Sequence, residues 1–197
     1  VSNGAFLRFV EVGAYEDPQW WSPEAWVWRQ EQGVVSPRFW RRDEDTGAWR
    51  LRTVFAERPL PPSWPAEVNF YEAEAFCRWA GARLPTEAEW ARLSEDMPRH
   101  KGDAAFHPAP HLHLSACTPR PVDAGPPTAS GVHDPVGNVW QWLSDDFRPL
   151  PGFRTHPWYA DFSTPYFDPE HKTLRGGSWA STGATASEFY RLWFRPY

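Results

Sequence analysis

Asn69-Phe70-Tyr71-Glu72-Ala73-Glu74-Ala75-Phe76-Cys77-Arg78-Trp79-Ala80-Gly81, then Arg83-Leu84-Pro85-Thr86-Glu87-Ala88-Glu89-Trp90, writes two helix starts in succession. Asn69 can accept the amide of Glu72, and Glu72 can answer the amide of Asn69, which is a capping box. Thr86 and Glu89 repeat the arrangement. Phe76 and Ala80, with Ala73 and Cys77, are expected to form the inward stripe of the first helix. Gly81 supplies its left-handed exit, and Trp90 falls on the inner face of the second.

Working toward the N-terminus, residues 2–12 read as a short helix carrying Phe6, Phe9 and Val10, with Ser2 or Asn3 as cap and Gly13 as stop. A second helix is expected over residues 23–31, with Pro23 in its first turn. Residues 39–41 and 48–52 read as strands joined by a polar hairpin loop, and residues 59–65 as a rigid proline-rich loop. Toward the C-terminus, residues 96–127 lose periodicity and are expected as a long surface loop. Short strands are expected over residues 138–143, 173–175 and 189–194. There is no internal repeat. With 22 Pro and 13 Gly in 197 residues, the chain reads as one domain, residues 1–197, of class α+β with low regular content.

A hydrophobic fraction of 41% suffices for a core. No run approaches the ~18 apolar residues of a membrane span. Net charge is -5 with pI near 5.8, which disfavours nucleic acid as the main partner. Two cysteines, Cys77 and Cys117, are too few for a disulfide framework, so a reduced, cytoplasmic setting is expected, with Cys77 as a small core residue. The start lacks both an initiator Met and a signal-peptide layout, and the chain is expected to be a piece of something longer.

Candidate chemistry is sparse. His111 and His113 could share one side of a strand, with His100 and His107 near in sequence, but the spacing matches no zinc pattern and loop histidines are expected instead. Asp145 and Asp146, adjacent on a strand, point opposite ways and are expected to cap or turn rather than act together. Gly176-Gly177 lacks the spacing of a dinucleotide fingerprint. The aromatic stretch from Pro157 to Asp168 includes Tyr159, whose phenol, a weak acid of pKa near ~10, could donate a proton to a bound oxygen.

Together with Gly137-Asn138-Val139-Trp140-Gln141-Trp142 and Arg175-Gly176-Gly177-Ser178-Trp179, the two helix segments resemble, across the whole chain, the formylglycine-generating-enzyme (sulfatase-modifying factor) domain. The resemblance implies a C-type-lectin-like fold. Formylglycine generators carry a redox-active cysteine pair near the C-terminus, and no cysteine follows Cys117 here. Pro37-Arg38-Phe39-Trp40, residues 64–70, Gly152-Phe153-Arg154-Thr155-His156-Pro157-Trp158-Tyr159 and residues 177–183 are similar to the nonheme iron sulfoxide synthases of thiol-histidine biosynthesis. The wording is closer to the ovothiol branch, which joins cysteine to histidine, than to the ergothioneine branch, which uses hercynine. The alternatives are an ergothioneine-branch synthase acting on hercynine with cysteine or γ-glutamylcysteine, and a non-catalytic ligand-binding module.

That resemblance implies Fe(II), O2 as cosubstrate, and histidine and cysteine as substrates. It places the iron ligands in a preceding DinB-like helical domain of the same polypeptide and none in this chain; a methyltransferase domain often follows. It gives Tyr159 the role of a hydrogen-bond or proton donor toward oxygen at the iron. It puts Phe162 near the histidine substrate, and Trp193, Phe194 and Arg195 on the substrate wall. Phe194 stands where relatives using γ-glutamylcysteine have an acid, which favours free cysteine, and Leu192 stands where ergothioneine relatives have an amide, which further separates the two branches. Gln141 replaces an acid that holds calcium in the wider fold, and a neutral amide is the weaker ligand for a hard cation.

Overall fold

The computed structural model describes residues 1–95 and 111–197; His100 and His107 lie outside the described residues. Helix α1 (Asn3–Glu11) is capped by the Ser2 hydroxyl and ends before Gly13, whose φ of 77° needs no Cβ. Helix α2 (Pro23–Gln32) follows, capped by Ser22. Helix α3 (Phe70–Trp79) carries the expected capping box, and α4 (Glu87–Glu95) the reciprocal Thr86–Glu89 bonds. A first antiparallel sheet runs β1 (Trp40–Arg42), β2 (Trp49–Arg52) and β3 (Glu57–Pro59). A second runs β4 (Gln141–Asp146), β5 (Lys172–Arg175) and β6 (Leu192–Phe194), also antiparallel.

Two cores result. Phe6, Phe9, Tyr15, Trp21, Trp40 and Phe76 fill the first, where the rings of Phe6 and Phe76 stack at 5.1 Å. Trp90, Leu112, Val136, Leu143 and Ala186 fill the second. Trp142 joins the two halves: its indole N–H donates to the Val68 carbonyl at 3.1 Å and its ring meets Phe70 edge-on.

Several expectations are corrected. The α3 stripe is Phe70, Glu72, Ala75 and Phe76; Ala73 and Cys77 are only half-buried and Ala80 is exposed. Glu72 turns inward because the Tyr15 hydroxyl donates to it at 2.6 Å. The proline-rich segment does more than stiffen a loop, since the carbonyls of Pro61, Pro62 and Trp64 receive the side-chain amide of Asn3 and the backbone N–H groups of Gly4 and Asn3. It also contributes to β3, which the proline signal hides. The strand expected from Asn138 begins at Gln141, because Asn138 takes φ 62°.

Burial pushes the Glu72 carboxyl from 4.5 up to about 7, against the Tyr15 and Asn69 hydrogen bonds, which favour the charged form. A carboxyl raised on folding is ionised first in the unfolded chain. Its contribution to stability is therefore present below about pH 4.5 and lost as pH rises through about 7. Glu72→Gln should flatten this decline, removing up to ~3 kcal/mol of pH dependence between pH 4.5 and 8. Urea unfolding of both proteins across that range checks it; parallel curves would contradict it.

Candidate functional site

The second sheet carries an aromatic platform. Trp193, on β6, stacks on Phe147 at 4.6 Å and 18°, and meets Tyr166 at 5.1 Å. The ring of Phe162 stands edge-on to Trp193 at 5.0 Å. Phe147 is covered from its other neighbours by Phe167 and by the guanidinium of Arg191, 4.7 Å from its ring centroid. Behind Tyr166, His171 is held through Nδ1 by both oxygens of Asp168, at 2.8 and 3.0 Å.

Arg191 is itself fixed. Its Nε and one terminal nitrogen bond the two Glu87 oxygens at 2.6 and 2.8 Å, and Arg175 adds a third contact to Glu87 at 2.7 Å. Burial alone would raise the Glu87 carboxyl, but the Arg191 and then the Arg175 guanidinium hold it below the usual range. The Glu87 amide is capped by Asp145, while Asp146 pairs with Lys172 at 2.6 Å, so the two adjacent acids do point apart. Arg175 lies over Trp90 at 4.4 Å. The turn after it needs glycine: a Cβ on Gly176, at φ 94°, would sit 2.7 Å from the Pro135 carbonyl.

From this platform a loop projects in which every residue from 148 to 162 is exposed. It holds Leu150, Phe153, Trp158 (85%) and Tyr159 (67%) in the open. Two anchors shape it: the Thr155 and Thr164 hydroxyls bond at 3.1 Å, and Phe162 returns to Trp193. Between them a single 3-10 turn, Pro157–Tyr159, is capped by the His156 ring.

The structure therefore joins Phe162 to Trp193 and puts Tyr159 three residues away on the same loop. It separates Phe194, which alternates to the opposite side of β6 across from Lys172 and is 58% exposed. Arg195 lies at the exposed end, bonded to the Tyr197 hydroxyl at 3.0 Å and 3.4 Å from Glu170. Sequence reasoning missed Phe147, Tyr166 and the Glu87 ion network. The only signal was a second acid in Pro85-Thr86-Glu87-Ala88-Glu89 that the capping box does not use.

Other candidates are settled by their partners. His111 is buried rather than a surface loop histidine, with Nε2 2.6 Å from the Thr118 carbonyl, while His113 is exposed. Gln141 bridges within the protein: its amide nitrogen donates to the Asp134 carbonyl at 2.9 Å and its oxygen accepts the Trp90 indole N–H at 2.7 Å. Among the described residues no group of three or more His, Cys, Asp or Glu could hold a metal ion.

A sulfatase-modifying factor enzyme 1-like domain matches residues 1–197. The chain belongs to that family. The C-type-lectin-like expectation agrees with the two small antiparallel sheets and with Treponema denticola variable protein 1, which superposes with TM-score 0.54 at 20% identity over 86% of this chain and 75% of that one. That likeness concerns fold alone. The chain is 39% identical to the hercynine oxygenase of Mycolicibacterium smegmatis and 36% identical to that of Mycobacterium tuberculosis, over 100% of this chain in both. It spans about half the length of these curated relatives, 48% of each.

If Phe162 clamps the loop onto Trp193, Phe162→Ala should speed tryptic cleavage after Arg154 several-fold. Global stability should change by no more than ~1 kcal/mol, because Phe162 is half exposed. Timed digestion beside urea unfolding measures both, and equal cleavage rates would show that the clamp does not hold the loop.

Proposed function

We propose that this domain is the substrate-binding part of an iron(II)- and O2-dependent sulfoxide synthase of the hercynine oxygenase type, which joins a cysteine sulfur to the imidazole of hercynine. The observation that carries the reading is the unbroken exposed loop, residues 148–162, raised on the Trp193 platform. Side chains as large as Trp158, Tyr159 and Phe162, clustered in the open, mark a surface that meets another body. The curated relatives are about twice as long as this chain. The reading assigns the remaining half to the DinB-like helical domain, which would supply the iron ligands and close over the loop.

The substrate reading moves from the ovothiol to the ergothioneine branch on two supports. The similar curated proteins are named hercynine oxygenases. In addition, exposed aromatic faces suit the trimethylammonium group of hercynine, because a quaternary cation is attracted to the negative face of a ring. Free histidine offers only a hydrated ammonium there.

Iron, when bound, would supply oxygen activation. The described residues of this chain do not form a cage for it. What they offer is a wall and a proton. Tyr159 presents a phenolic O–H that can donate a hydrogen bond or a proton at the reacting face, favouring sulfur–carbon joining over simple oxidation of the thiol. Phe162 and Trp193 exclude water beside it and orient the imidazole. No helix of the described residues is long and apolar enough to cross a membrane.

Two outcomes follow for the full-length enzyme. At saturating cysteine, kcat/KM for hercynine should exceed that for histidine by at least ~10-fold, the equivalent of ~1.4 kcal/mol. The reverse ratio, read by product chromatography, would return the chain to the ovothiol branch. Tyr159→Phe should lower sulfoxide and raise cysteine sulfinate; an unchanged product ratio would remove the proton-donor role.

A further inference from the structure

The arginines of the first sheet are unequally occupied. Arg42 lies over Trp49 at 4.2 Å, Arg58 over Trp64 at 4.7 Å, and Arg50 faces Asp43 at 3.7 Å and Glu57 at 4.0 Å. Arg38, Arg41 and Arg52 have no carboxylate within ion-pair distance among the described residues; Arg41 bonds only the backbone carbonyls of Arg38 and Trp40. The register makes the placement of two of them deliberate. Arg41 pairs with Arg50, and Arg52 lies two residues on, so Arg41 and Arg52 project from the same face.

All three line one cleft of about 330 Å³, a size that admits a small molecule. Its flat apolar contacts are Phe39 and Trp179, and Thr118 adds a hydroxyl. Its one acid, Glu67, has no hydrogen-bond or ion partner among the described residues, and burial pushes its carboxyl up. The polar lining is thus dominated by donors, in a chain whose net charge is -5. Guanidinium forks match the geometry of carboxylate and phosphate, and they stack on aromatic faces.

We propose that this cleft is a binding site for a small molecule carrying a carboxylate or phosphate on a flat apolar body. The anion would meet Arg38, Arg41 and Arg52, and the body would lie against Phe39 and Trp179. The lining shares no residue with the loop of residues 148–162 or with β6, so the site is separate from the aromatic platform and independent of the sulfoxide synthase reading.

Calorimetric titration of the full-length protein with benzoate, phenyl phosphate, acetate and inorganic phosphate tests this. At least one aromatic anion should bind ten-fold or more tightly than its non-aromatic counterpart, and the benzoate to phenyl phosphate ratio names the anionic group. Replacing Arg38, Arg41 and Arg52 together by Ala should weaken that binding at least ten-fold, whereas Arg78→Ala, on α3 and paired with Glu74, should leave it unchanged. Thr118→Glu, which leaves the sheet intact and sets a negative charge in the cleft, should weaken it as strongly. No binding of either aromatic anion, equal binding of acetate or phosphate, or binding that survives Thr118→Glu would each overturn the proposal.

Discussion

One carboxylate holds the C-terminal half of this domain in place. Glu87, at the start of α4, takes Arg191 through two bonds and Arg175 through a third, with little of any of the three exposed. Such a triad is not in itself a large source of stability, because desolvation offsets most of the attraction. Its weight lies in what happens when it is broken. Removing one partner strands charge in a dry site at a cost of ~3–5 kcal/mol. The helix, β5 and the segment entering β6 are therefore held to one arrangement.

The site inherits that constraint. Arg191 reaches Glu87 with its nitrogens while its plane covers Phe147, and Phe147 is the ring on which Trp193 stacks. Trp193 then receives Phe162, which closes the loop bearing Tyr159. The chain of contact from Glu87 to Tyr159 passes through ion pair, cation over ring, ring stack and edge contact. Only its last link is exposed, which suits a surface that is rigid beneath and adaptable at its outer edge.

Much of the first half was legible. The Asn69–Glu72 capping box, the Ser2 cap and the left-handed Gly13 and Gly81 all stand where local pattern puts them. Reading failed where a distant partner redirected a residue. Glu72 read only as the capping-box acid of α3, yet Tyr15, 57 residues away, draws it inward. Asn138 looked like the first residue of a strand, yet its side chain bonds Arg120 and Asp134 and its backbone turns left-handed. His111 looked like a loop histidine until Thr118 took its Nε2.

The sequence by itself determined where helices begin and end, which aromatic residues are available for a core, and, through its motif wording, the family. Those features rest on interactions within about four residues, whose geometry the backbone dictates. Tertiary structure alone decided that Glu87 rather than Glu89 carries the ion network, that Phe162 meets Trp193 while Phe194 faces away, and that three arginines share a cleft with Trp179. The partners of Glu87 lie 88 and 104 positions along the chain. No local rule spans such a separation, because it is the packing of one buried charge against its counter-charges that selects them.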